Sequence, residues 1–212
     1  MKKIKIPTKK IGKFLREIAV IVIGVAITLS ASYWVTNNNA KREMSLSLSM
    51  IKLEVEENIR ILEETDYHLI QVAMNYSDYL RSHKKESLNL DTLLFYRNTT
   101  AFNNTPIKVK SNAFDMFKTS GNMSLVKDKK LLLSLWDLYA KLDNLNRFYE
   151  TISQLKMDEM KKYFHLNSLP DEELLKNPPM YDFYVNMYAP HTQRQVVNHT
   201  LTSLNETKSM LE

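Results

Sequence analysis

Residues 13–43, KFLREIAVIVIGVAITLSASYWVTNNNAKRE, decide how the chain is built. A basic lead-in gives way to an uncharged run from Ile18 to Val35, and three asparagines follow. As a helix those eighteen residues extend about 27 Å. Phe14 and Leu15 lengthen the apolar stretch toward the roughly 30 Å of a bilayer's hydrocarbon core. Tyr33 and Trp34 stand at the far end as candidate interface anchors, because amphipathic rings settle at the headgroup level.

Charge gives the segment a direction. Residues 1–17 hold seven Lys or Arg and one Glu, a net +6, against +5 for the whole chain, which leaves −1 for residues 18–212. Just beyond the run, only Lys41 and Arg42 add positive charge before Glu43. Positive charge concentrated before a span marks its cytoplasmic side. The expected layout is therefore a basic cytoplasmic tail (1–17), a transmembrane anchor helix (14–35) and an extracytoplasmic helical domain (36–212). In a bacterium this is an inner-membrane protein facing the periplasm.

A cleaved signal peptide is the rival, with Ile18–Leu29 as its apolar region and Ser30-Ala31-Ser32 as the small-residue site. The uncharged run continues past that site into Tyr33-Trp34-Val35, as a spanning helix does. A soluble core helix of this length with no polar face needs a larger protein around it. The segment reads as an anchor that stays. Gly24, Thr28 and Ser32 recur every fourth residue, a candidate packing stripe of the kind that lets two membrane helices approach closely. Small residues also occur in such helices without pairing.

The basic pI of 9.1 thus belongs to the tail. The domain has no net positive excess from which to build a nucleic-acid-binding face, so no nucleic acid is expected. The tail instead suits acidic lipid headgroups. With no cysteine, the chain has no disulfide, thiolate metal site or cysteine nucleophile. Three glycines and six prolines are too few for many hairpins or phosphate loops.

After Thr36–Ala40, apolar residues return at helical spacing: Met44, Leu48, Ile51, Val55, Ile59, Leu62, Leu69, Tyr76 and Leu80. Lys52, Glu54, Glu57, Arg60 and Glu63 make the opposite, solvated face. This predicts one long helix from the membrane to Arg81, continuous with the anchor. His83–Ser87 is a polar turn, and Asn89 or Asp91 caps a short helix through Leu93 and Tyr96. Asn98–Pro106 has loop composition. Ser111 caps a helix over Asn112–Ser120, stopped by Gly121, whose freedom to adopt the left-handed conformation suits a C-terminal cap. Asp128 caps a second long helix along Leu131, Leu135, Leu138, Leu142, Leu145, Tyr149, Ile152 and Leu155, ending near His165 or Asn167. Pro170 opens a short acidic turn, Pro178-Pro179 breaks it, and Pro190 starts a last helix through Val196, Val197, Leu201, Leu204 and Leu211. The fold class is all-α: a transmembrane helix running into an elongated helical bundle with two long helices of about forty residues.

Two stretches carry a family resemblance. REIAVIVIGVAITLSASYWVTNNNAKRE resembles the anchor of the membrane-anchored Bacteroidota family known as domain of unknown function 6090, at Glu17, Ile23-Gly24 and Trp34. NAFDMFKTSGNMSLVKDKKLLLSLWDLY resembles its second signature, at Phe114, Ser120, Gly121, Asn122 and Leu131. The three asparagines follow Trp34 here rather than flanking it. The resemblance implies a bacterial envelope protein and brings no catalytic residue with it.

No constellation of catalytic type stands out. His68, His83, His165, His191 and His199 form no i, i+4 pair, and none lies in a metal-binding carboxylate motif. Glu54-Glu56-Glu57 and Glu63-Glu64 lack the Glu-x-x-His partners of a di-metal helical site. Ser120-Gly121-Asn122 is a candidate structural turn whose backbone N–H groups can also face a ligand. Tyr181, Phe183, Tyr184 and Tyr188 are a candidate partner patch, with a role as an aromatic plug at one end of the domain as the alternative. The chain therefore reads as a non-enzymatic interaction or scaffold module. It needs no cofactor or metal, and its partners are the membrane, a further copy of itself and an envelope protein. The alternative is an extracytoplasmic ligand-sensing bundle that signals through a partner subunit.

Overall fold

The computed structural model describes residues 8–104, 107–163 and 171–212. The chain is all-helical with a long N-terminal helix, and among the described residues there is no strand. Helix α1 (Thr8–Arg60) passes through a π-helical turn, Ile61–Asp66, into α2 (Tyr67–Ser82). The expected continuity of anchor and domain helix is present. The wide turn is the departure, and beyond it the fully buried position is Ile70 rather than the expected Leu69.

Short elements follow. Asn89 caps α3 (Leu90–Tyr96) by accepting the Thr92 N–H at 3.0 Å. The expected loop at Asn98–Pro106 is in part a second π-helical turn, Arg97–Ala101, which buries Thr100 and Ala101. Helix α4 (Asn112–Thr119) ends before Gly121, whose φ of +75° supplies the left-handed residue the sequence predicted. Asp128 Oδ1 accepts the N–H groups of Lys130 (2.8 Å) and Leu131 (3.1 Å), as a cap of α5 should. Helix α5 (Lys129–Met160) has 32 residues, shorter than expected, and continues only as a tight turn over Lys161–Tyr163. Its expected end near His165 or Asn167 lies outside the described residues. Helix α6 (Asp171–Lys176) is followed by Pro178-Pro179 and a helical stretch with a π turn at Phe183–Met187, and α7 (Pro190–Met210) begins with Pro190 in its first turn.

Helices α1, α4, α5 and α7 enclose the first core. Ile51, Val55, Phe114, Phe117, Leu135, Leu138, Leu142, Leu145, Val197 and Leu204 are among its buried members. Burying each large side chain contributes about 1.5–3 kcal/mol. The second core joins α2, α3 and the segments around the π turns at Arg97–Ala101 and Phe183–Met187, and its aromatic rings pack edge-on and stacked. Tyr76 lies 4.7 Å from Tyr96 and 4.9 Å from Tyr184.

Candidate membrane anchor, buried polar sites and interaction surfaces

The apolar run of α1 packs against nothing in the chain. Phe14, Ile21, Ile27 and Leu29 are all about three-fifths exposed or more, and so are Tyr33 and Trp34, the candidate interface anchors. It is one helix long and apolar enough to cross a membrane. Gly24, Thr28 and Ser32 are exposed with it, and no atom stands within 4 Å of where a Gly24 Cβ would lie. The Thr28 hydroxyl donates to the Gly24 carbonyl at 2.9 Å, and Thr36 repeats the bond to Ser32. Both hydroxyls are thus satisfied within the helix, as an apolar environment requires.

In the domain, the polar residues expected on solvated faces split into two groups. Arg60 bridges Glu57 and Glu64 on the surface at 2.7 and 3.2 Å, and its guanidinium lowers the Glu57 pKa to about 2. Glu54 is a correction, being buried rather than solvated. One of its oxygens accepts the Ala113 N–H at 2.8 Å and the other the Tyr139 hydroxyl at 2.7 Å. Ala113 belongs to the first turn of α4, where N–H groups have no partner within the helix and a negative charge is favourable. Ser111, the expected cap, makes no such bond, because its hydroxyl donates to Asp115 instead. Tyr139 is held protonated by burial first and by its bond to Glu54 second.

Two asparagines secure the irregular segment before α4. Asn146 of α5 accepts the Val109 N–H at 3.0 Å and donates to its carbonyl at 3.1 Å. Asn58 of α1 does the same for Lys110 at 2.7 and 2.9 Å. Neighbouring residues of an extended chain point their backbone groups to opposite sides. One residue is therefore held from α5 and the next from α1.

A third polar group lies beside the second core. Lys156 is buried and donates to the carbonyls of Thr100 (2.6 Å) and Asn103 (2.5 Å), with the Tyr184 ring 5.7 Å away. Burial lowers its pKa to about 8. It borders a cavity of about 80 Å³ shared with Thr100, Ser153, Tyr184 and Gln193. One turn on, Glu159 is 3 % exposed, with one oxygen 2.5 Å from Lys162 and the other without a hydrogen-bond partner.

The remaining predicted residues separate cleanly. Ser120 closes α4 by donating to the Phe117 carbonyl at 2.8 Å and accepts the Asn122 N–H at 3.2 Å. Ser120-Gly121-Asn122 is spent on the reversal itself. The candidate partner patch is corrected: Phe183, Tyr184 and Tyr188 are core residues, and Tyr181 is half-buried under Lys85. Helix α2 holds this segment in place, with Tyr76 donating to Pro179 O, Ser77 to Tyr184 O and Arg81 to Val185 O. Among the described residues no group of His, Asp and Glu is placed to hold a metal.

Sequence reading missed the buried Glu54, Asn58, Lys156 and Glu159, and the half-buried Asn146. It also missed three exposed apolar side chains on α1: Leu46, Met50 and Leu53. Comparison with known proteins adds nothing to these assignments, since no family model, curated protein or solved structure matches the chain.

Proposed function

We propose that the chain is a single-pass, membrane-anchored interaction or scaffold module of the bacterial cell envelope. Its tail (1–17) is cytoplasmic, its helix spans the inner membrane over residues 14–35, and a helical bundle (36–212) stands in the periplasm. One observation carries this reading: an uncharged eighteen-residue run lies on a helix that buries none of it. Left in water, that surface far exceeds the apolar patch a soluble monomer ordinarily shows. The charge step across the run supports the orientation, and the resemblance to domain of unknown function 6090 supports the bacterial envelope. The helix continues unbroken into the domain, so the module is held at a fixed distance from the bilayer, as suits a scaffold for another envelope protein.

The ligand-sensing alternative has the Lys156 cavity in its favour. At about 80 Å³ it is smaller than the roughly 300–1,000 Å³ of ordinary small-molecule sites. A groove between α5 and α7, lined by Leu145, Phe148, Val196 and His199, reaches about 460 Å³ but is open and mostly apolar, and the scaffold reading is preferred. The test is alkaline carbonate extraction of membranes carrying the full chain, beside the variant I23K/I27K. Each lysine at a span centre costs about 2.5–3.5 kcal/mol on insertion scales. The parent chain should stay in the pellet and the variant should lose insertion. A parent chain released by carbonate would overturn the anchor.

A further inference from the structure

Helix α1 carries a second apolar stripe, and nothing in the chain covers it. Leu46, Met50 and Leu53 are 62 %, 40 % and 66 % exposed, while Ile51 and Val55 on the other side of the helix are fully buried. At about 100° per residue, Gly24, Thr28, Ser32, Leu46, Met50 and Leu53 fall within an arc of about 80°. Val35 and Asn39 lie inside that arc. No break separates the membrane part from the domain part, since α1 is α-helical from Thr8 to Arg60. The small-residue stripe and the leucine stripe are therefore one row, about 44 Å long. Its upper end turns polar at the Glu57–Arg60–Glu64 bridge.

Resting on the anchored reading above, we infer that this row is the seam of a parallel, two-fold pair of α1 helices from two copies of the chain. The occupant of the row must lie alongside it both within the span and beyond it. A second copy in the same bilayer brings a helix of the same length, direction and height. The flanking charges also select self-pairing. Arg42 stands on one edge of the row, about 40° from its middle, and Glu43 just beyond the other edge, about 60° from it. Both are exposed, and among the described residues neither has an ion-pair partner. A two-fold axis sets Arg42 of each copy against Glu43 of the other. Asn39, in the row at the membrane exit, then meets its own counterpart, and a seam asparagine fixes register in two-stranded coiled coils. Within the bilayer the small residues let the backbones close together. Outside it Leu46, Met50 and Leu53 are removed from water.

The chain has no cysteine, so single cysteines report the seam directly. In membranes carrying the full chain, mild oxidation should link L46C to itself and leave S45C, which points off the seam at the same height, as monomer. R42E or E43R alone should reduce the L46C dimer, and R42E/E43R together should restore it. Equal linking of L46C and S45C, linking of L46C to a different protein, or no rescue by the double reversal would overturn the seam. Pellet and supernatant are scored separately. Chain in the supernatant sinks the anchored reading, even where an L46C dimer there upholds the seam. Membrane-bound chain without that dimer sinks the seam alone.

Discussion

Asn58 has no exposed surface, and both of its amide groups are used on the backbone of Lys110. Asn58→Ala should destabilise the chain by about 1–3 kcal/mol, because two part-buried hydrogen bonds, each worth about 0.5–1.5 kcal/mol, are lost together. Urea titration of the detergent-solubilised full chain measures this, and a cost below about 0.5 kcal/mol would mean the segment relaxes without its clamp. Lys156 makes a pH-dependent prediction. Its folded pKa of about 8 lies below its ordinary 10.5, so between those values the unfolded chain binds more protons. Stability must then rise with pH across that interval, by an amount on the order of 2 kcal/mol between pH 8 and 10. Above pH 10 the rise should fade, because burial holds Tyr184 and Tyr139 protonated in the fold while unfolded tyrosine ionises. Lys156→Met should remove the rise, which unfolding curves collected at several pH values would show.

These residues also show why part of the molecule was hidden at the level of its elements. Along α5 the buried positions step by four and three through Leu131, Leu135, Leu138, Leu142, Leu145 and Tyr149. Continued strictly, the steps reach Ile152, then Lys156, then Glu159. Hydrophobicity draws the eye to Leu155, one residue off the seam and 44 % exposed. On α1 the same rule places Asn58, not Ile59, between Val55 and Leu62. On α7 it places Gln193, Thr200 and Thr207, all buried, in line with Val197 and Leu204. The spacing held the register, and the buried polar residues were legible only by trusting spacing over residue type. The π turns shift the register by one residue, so that after Leu62 the buried position is Ile70 and not Leu69, but with two apolar residues side by side the sequence did not show the shift. Capping chemistry was the clearest signal at this scale. Gly121 is the sharp test: Gly121→Ala should cost about 1 kcal/mol, since φ of +75° strains any side chain although the space around it is open. A thermal shift of a few degrees downward is expected, and an unchanged Tm would show that the reversal tolerates another backbone conformation.

At the scale of the whole molecule, the chain sorts its apolar surface into two uses. Most of it is folded inward around two cores. The remainder is concentrated on α1, first as a run apolar on all sides and then as a single stripe. The first pattern suits lipid and the second suits another helix, and one rigid element joins them. The run itself was legible from composition alone, because no other stretch of eighteen residues in the chain is free of charge. The stripe was not, because Leu46, Met50 and Leu53 read as ordinary helix residues until the opposite face was seen to be the core. Anchor, scaffold and seam all depend on the run crossing a bilayer with the tail inside. The direct measurement is labelling with a membrane-impermeant maleimide in a Gram-negative host with a permeabilised outer membrane, using full chains carrying Thr8→Cys or Ser87→Cys. Full-length, membrane-bound chain should label at position 87 and not at position 8 until the inner membrane is opened. Labelling at position 8 alone, or recovery of the chain without its first residues, would contradict this topology.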